Sequence, residues 1–284
     1  MSSTKNLIIP GANSKPIALD IFHNGNGQSP TVIYAHGFNG FKDWANFDII
    51  ANQFADAGFT FIKFNFSHNG TAPSHPEEFV DLEAFGRNNY SIELQDLASV
   101  IDWASDPYNI YHSSIDSNKI FLIGHSMGGG IAILQAAKDA RIKKLVTWAS
   151  ISECKTPWGS WSAEKMDEWK RDGVAYYANS RTGQEMPMYY QLNEDYVINK
   201  ESLDIEVAIK KLNVPMLICH GTLDTAVSIE KANELLSWQP NATLFTVESD
   251  HVFGRKHPWT ENTLPDAMEK VVAETIEFLK TNHR

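Results

Sequence analysis

Ser126 is the residue of this chain best placed to do covalent chemistry, because of what surrounds it. In Gly124-His125-Ser126-Met127-Gly128, small residues stand two before and two after the serine. The five residues Lys119–Ile123, dominated by Ile, Phe and Leu, read as a buried strand, and Ile131–Ala137 reads as a helix. A strand, a sharp turn and a helix with one serine at the tip would lift a hydroxyl off the top of a sheet, near a helix N-terminus. Gly124 and Gly128 suit that turn, where the helix must pack close to the strand. The bare five-residue pattern recurs by chance in many chains, and the alternative here is a Gly-rich helix cap. The flanking strand and helix favour the nucleophile.

An alcohol is a weak nucleophile at neutral pH, so Ser126 needs a base within hydrogen-bond reach, and the base needs an orienting acid. Ten histidines compete for the first role. His251 follows the strand Ala242–Val247 through Glu248-Ser249-Asp250, which sets it on the rim where Ser126 should stand. His257 is the second choice. His125, inside the turn, is expected to point away from Ser126, and His23, His112 and His283 fall on an edge hairpin, in a loop and at the terminus. For the acid, Asp224 follows the strand Val214–Cys219 through His220-Gly221-Thr222-Leu223. Its plainer role is a helix N-cap, which Ser228 fills better. Asp250 is the rival, but neighbours on an extended segment point in opposite directions, so it is poorly placed to orient His251. The chain order serine, acid, histidine is the one that accompanies a serine elbow of this kind.

Attack on a carbonyl also creates a negative oxygen, and a single preorganised N–H donor there is worth about 3 kcal/mol of barrier. The Met127 amide, just after the serine and at a helix start, is one candidate donor. The Phe38 amide is the other, since His36-Gly37 lets the backbone turn inward after the strand Thr31–Ala35. A simple turn is the plainer reading of His36-Gly37.

These side chains need a frame that brings strand ends together. Lys5–Pro10 and Ile17–His23 read as an edge hairpin. Thr31–Ala35, Phe59–Phe66, Lys119–Ile123 and Lys144–Ala149 read as strands, with helical spacing between them over Asp43–Ala57 and Asn89–Ser105. The long loop Ser67–Asp81 is rich in Gly, Pro, Ser and His, which suggests function or mobility. Alternation stops at Ser150, and Trp and Tyr crowd the stretch to Leu212, where a helix over Ala163–Arg171 and a hairpin of Val174–Ala178 with Glu185–Gln191 are expected. Val214–His220, Ser228–Trp238, Ala242–Val247 and Asp266–Leu279 then restore strand, helix, strand and helix. The expected organisation is a core from 1–149, a cap insertion over 150–212 and the rest of the core over 213–284. Such alternation implies an α/β fold with a mainly parallel sheet covered on both faces, and ligands outside the carboxyl ends of its strands. The aromatic residues of the insertion suit either a small core of its own or the walls of a pocket.

The 284 residues are ample for a sizeable core. A net charge of −11, with no Lys/Arg cluster beyond short pairs, argues against nucleic acid as a partner. No apolar run suits a signal peptide or a membrane span, so a cytoplasmic protein is expected. The two cysteines, Cys154 and Cys219, rule out a Cys-rich zinc site by count and make a disulfide improbable.

Four motifs agree: His36-Gly37-Phe38, Gly124-His125-Ser126-Met127-Gly128, His220-Gly221-Thr222-Leu223-Asp224 and Asp250-His251. From about Ile17 to Leu279 the chain resembles the α/β-hydrolases, and within them the dienelactone-hydrolase-like and feruloyl (cinnamoyl) esterase-like group. The stretch Phe64-Asn65-Phe66-Ser67-His68-Asn69-Gly70 is similar to a loop common in that group. The resemblance implies a mostly parallel eight-stranded sheet, a Ser126/Asp224/His251 triad, an oxyanion hole from Phe38 and Met127, no cofactor or metal, and a cap after the sixth strand. It departs from the dienelactone hydrolases proper in carrying serine where they carry cysteine. The leading expectation is a serine hydrolase of small carboxylic esters. An acyl-peptidase or aminopeptidase would use the same triad, with Glu153, Glu164, Asp167 or Glu168 available to anchor a substrate amine. A non-catalytic ligand-binding protein on the same scaffold is a third reading. A homo-oligomer stays open.

Overall fold

The computed structural model describes residues 2–281; His283, set aside above as terminal, lies outside them. Eight strands form one sheet: β1 (Ser2–Pro10), β2 (Pro16–His23), β3 (Ser29–Ala35), β4 (Thr60–Phe64), β5 (Ile115–His125), β6 (Ile142–Trp148), β9 (Met216–Gly221) and β10 (Thr243–Val247). Their order across the sheet is β1-β2-β4-β3-β5-β6-β9-β10. The first hairpin is antiparallel and β2 meets β4 antiparallel, while every pairing from β4 to β10 is parallel. The sheet is thus the eight-stranded, mostly parallel one that the resemblance implied.

Strand alternation divides the core into two layers. On β5, Ile120 and Leu122 face one side and Phe121 and Ile123 the other; on β3, Ile33 and Ala35 oppose Val32 and Tyr34. One face is covered by α3 (Tyr90–Ser105), preceded by the short helix α2 (Leu82–Arg87), with α4 (Met127–Ala136) and α8 (Ile229–Trp238), the other by α1 (Asp48–Asp56) and α9 (Asp266–Lys280). Central strands buried on both faces read as continuous apolar runs, which is why they were legible in sequence. Every residue of α4 is buried, and apolar side chains held in this way contribute about 1.5–3 kcal/mol each. Among the described residues no helix is long and apolar enough to cross a membrane.

Helix α1 starts at Asp48 rather than at Asp43. Ala45 and Asn46 adopt left-handed φ values of 53° and 52°, which an α-helix of L-residues excludes. That segment instead serves a buried charge cluster. Lys42 donates to Asp20 at 2.8 Å, Lys63 pairs with Asp20 at 3.1 Å and with Asp48 at 2.7 Å, and both lysines also contact Asp43. Burial alone would raise the Asp43 carboxyl, but Lys63 and Lys42 outweigh it and hold it at about 2. The three carboxylates lie close enough together to hold a cation, and the two ammonium groups take that place. The cluster ties the loop after β3 to β2 and β4.

Between β6 and β9 come α5 (Ala163–Asp172), an antiparallel hairpin of β7 (Val174–Ala178) and β8 (Glu185–Tyr189), and two further helices, α6 (Gln191–Ile198) and α7 (Ile205–Lys210). Trp158 and Trp169 are buried and continuous with the main core, and the Trp169 indole donates to the Met188 carbonyl at 2.7 Å. These two tryptophans fill volume. Tyr177 reaches the other way, packing on Phe38 at 5.8 Å between ring centroids and bonding Asn39 through its hydroxyl.

On α3, Glu93 is buried with one carboxylate oxygen bonded to Asn88 and the other without a partner among the described residues. Burial pushes its carboxyl up to about 8, against the Asn88 hydrogen bond and with help from Asp96. An unfolded Glu ionises near pH 4, so from about pH 4 to about pH 8 the folded chain keeps a proton that the unfolded chain releases. Stability therefore falls as pH rises through that window. Glu93→Gln is expected to flatten the slope and to gain about 4–5 kcal/mol at pH 8, with little change at pH 4, read from urea midpoints. An unaltered slope would show Glu93 ionising freely in the fold.

Candidate active site

Ser126 sits between β5 and α4 with φ 55° and ψ −121°. A non-glycine residue so placed costs about 1–3 kcal/mol, and the surroundings must impose it. They do so with hydrogen bonds on both sides: the Ser126 amide donates to the Trp148 carbonyl at 2.9 Å, and its carbonyl accepts from Gly129 at 2.9 Å. The flanking glycines are required by contact. A Cβ on Gly124 would stand 2.2 Å from the Gly128 carbonyl oxygen, and one on Gly128 would stand 2.4 Å from that of His36. The elbow is therefore pressed against the end of β3 as well as its own strand.

Asp224 and His251 meet. His251 Nδ1 lies 2.7 Å from Asp224 Oδ2, and since an ionised carboxylate only accepts, the proton is on Nδ1. Asp224 is itself fixed, its other oxygen accepting from the Ala226 and Val227 amides at 2.9 and 2.8 Å. Burial would raise this carboxyl. Hydrogen bonds from His220, His251 and Val227 outweigh that and hold it well below the usual carboxylate range. Asp250, the rival acid, instead caps the amides of Val252 and Gly254. His257, the rival base, accepts from the Ala45 amide at 3.0 Å and stacks on Trp44.

Ser126 and His251 line one cavity of about 180 Å³, shared with Gly37, Phe38 and Arg255. Among the described residues no hydrogen bond joins Ser126 Oγ to the imidazole; such bonds commonly tighten only once substrate is bound. The Met127 amide is one of the first-turn donors a helix cannot satisfy, and no acceptor among the described residues takes it or the Phe38 amide. Phe38 and Met127 also meet at a small apolar crevice with Phe85, Met188 and Leu192.

Residues outside the expected triad hold this arrangement. His36 is buried, and desolvation pulls its imidazole down to about 4 against the Gly37 hydrogen bond. The neutral ring holds the Gly37 carbonyl at 2.9 Å and accepts from the Phe66 amide at 3.3 Å. Asn69, from the long loop, donates to the Gly40 carbonyl at 3.2 Å. His125 does not turn away from the site as expected. It shares its strand face with Phe121 and Ile123, its ring lies 4.8 Å from that of His251, and its Nε2 bonds the His251 carbonyl at 3.0 Å. Alternation along β5 was the available signal. The acids considered as amine anchors are elsewhere: Glu153 pairs with Lys155, while Glu164, Asp167 and Glu168 are exposed on α5, and none lines the cavity.

A parallel sheet with a serine elbow at its carboxyl edge defines a class, and the chain belongs to it: the model of the alpha/beta hydrolase fold family matches residues 30–186. An Escherichia coli relative described as an uncharacterized 31.7 kDa protein of the traX-finO intergenic region is 33% identical over 129 residues, covering 45% of this chain. The chain spans only 40% of the length of that relative. Among solved structures, DcsB in complex with its substrate analogue superposes with a TM-score of 0.72 at 19% identity, over 98% of this chain and 99% of that one. Est1E of Butyrivibrio proteoclasticus with ferulic acid bound gives 0.66 at 18% identity, over 96% and 97%. The resemblance read from the four motifs is borne out at the level of family and fold.

Proposed function

We propose that the chain is a cytoplasmic serine hydrolase that cleaves small carboxylic esters through an acyl-enzyme. One observation carries this reading: an imidazole oriented by Asp224 at 2.7 Å lines the same cavity as a serine held in a strained elbow. Ser126 Oγ attacks the carbonyl carbon as its proton passes to His251 Nε2, and the π pair moves to the oxygen, facing the Phe38 and Met127 amides. Collapse expels the alcohol, which leaves with the proton from His251. Water then repeats the sequence, returning the acid and free Ser126. Asp224 keeps Nδ1–H in place and offsets the imidazolium charge.

The ferulic acid in Est1E is in keeping with an ester substrate. The absence of cavity-lining acids among the described residues leaves the aminopeptidase reading without an anchor for an amine. A fluorophosphonate probe is expected to label the wild-type protein at Ser126, as read by peptide mass, and p-nitrophenyl acetate or butyrate to be hydrolysed faster than aminoacyl-anilides. Absence of labelling in folded protein would leave a binding protein on this scaffold, and a preference for anilides would replace the ester.

A further inference from the structure

Arg255 follows the candidate base by four residues and is only 4% exposed. Buried guanidinium groups are ordinarily paired with a carboxylate, because the desolvation cost is otherwise unanswered. Among the described residues Arg255 forms no ion pair. Its Nε donates to the Val252 carbonyl at 3.1 Å, and its Nη1 is buried with no acceptor. Trp44 and Phe47 lie 5.4 Å from Cζ, and ring faces offset only part of such a cost. The Tyr34 hydroxyl is a hydrogen-bond partner of the guanidinium but gives no countercharge at neutral pH, since burial pushes its phenol up to about 12. Asp250 is exposed and occupied with backbone amides. This cation, without a paired carboxylate among the described residues, lines the cavity that holds Ser126 and His251.

The geometry points to Arg255 as a specificity residue that receives a carboxylate on the substrate, so that the preferred ester is a half-ester of a short dicarboxylic acid. The inference rests on the ester-hydrolase reading and narrows it. A planar carboxylate matches the guanidinium fork better than any neutral group. The cavity, about 180 Å³, is smaller than the roughly 300–1,000 Å³ of drug-sized sites, which limits the chain joining the two carboxyl groups to a few carbons.

The test compares monomethyl glutarate with methyl pentanoate, by methanol release. The wild-type protein is expected to favour the charged ester in kcat/KM by roughly tenfold or more, and Arg255→Gln to bring that ratio down to about one. Arg255→Lys, which keeps the charge but not the fork, is expected to fall between. A wild-type ratio of one or less overturns the proposal without needing any variant to fold. Calorimetry on Ser126→Ala separates this from failure of the hydrolase reading. Heat of binding for monomethyl glutarate, absent for methyl pentanoate and lost when Arg255→Gln is added, supports the carboxylate site even if neither ester is turned over. No such heat overturns it even if both are hydrolysed.

Discussion

Ser126→Ala is expected to lower kcat/KM for a short-chain ester by about 10,000-fold or more while leaving the fold intact. The size follows from what remains. With no hydroxyl to attack, His251 can activate only water, and catalysis falls to what binding and the Phe38 and Met127 amides provide. The stability change should stay within about 0.5 kcal/mol, since the Ser126 hydroxyl has no hydrogen-bond partner among the described residues and the backbone bonds to Trp148 and Gly129 persist. Adding His251→Ala to the same chain should cost little more, because the two act as one unit. A single variant retaining a tenth of the wild-type rate would take Ser126 out of the reaction.

Asp224→Asn is expected to cost on the order of 1,000- to 10,000-fold in kcat, by the tautomer it imposes. An asparagine keeps an oxygen for the Ala226 and Val227 amides, so the turn after β9 should survive. The amide group set against His251 drives the ring proton from Nδ1 to Nε2, where it blocks acceptance from Ser126. Stability carries a separate signature. The Asp224 carboxyl is held below its unfolded value, near 3.9, so its contribution is present above about pH 4 and is lost as pH falls further. The variant should therefore melt earlier than wild type at pH 7, and the gap should narrow progressively as pH falls below about 4. Full activity in Asp224→Asn would assign the orienting role to another group.

The sheet and the positions of Ser126, Asp224 and His251 were legible because strand ends in a parallel sheet share one rim, so sequence order sufficed to locate them. The short helices α6 and α7 and the late start of α1 were not. The first two are set by packing against the core, and the third by Ala45 and Asn46 turning to serve charges that lie far off in sequence. Lys42 and Lys63 look like solvated lysines in a one-dimensional reading, and nothing near them announces Asp20. Arg255 was passed over and His125 misplaced for a related reason: what marks them is the partner they lack or touch across the sheet edge. The loop read as functional or mobile is anchored at its start, with Ser67 bonded to Asp96 and Asn69 to Gly40.

The lysine and aspartate cluster behind the loop after β3 has an evolutionary consequence. Neutralising one member strands an opposite charge in a dry interior, at about 3–5 kcal/mol, whereas replacing matched members together with apolar residues is tolerated far better. Drift at Asp20, Lys42, Asp43 and Lys63 should therefore be pairwise, with intermediates purged. Because Phe38 and Gly37 ride on that loop, the backbone around the serine inherits the constraint.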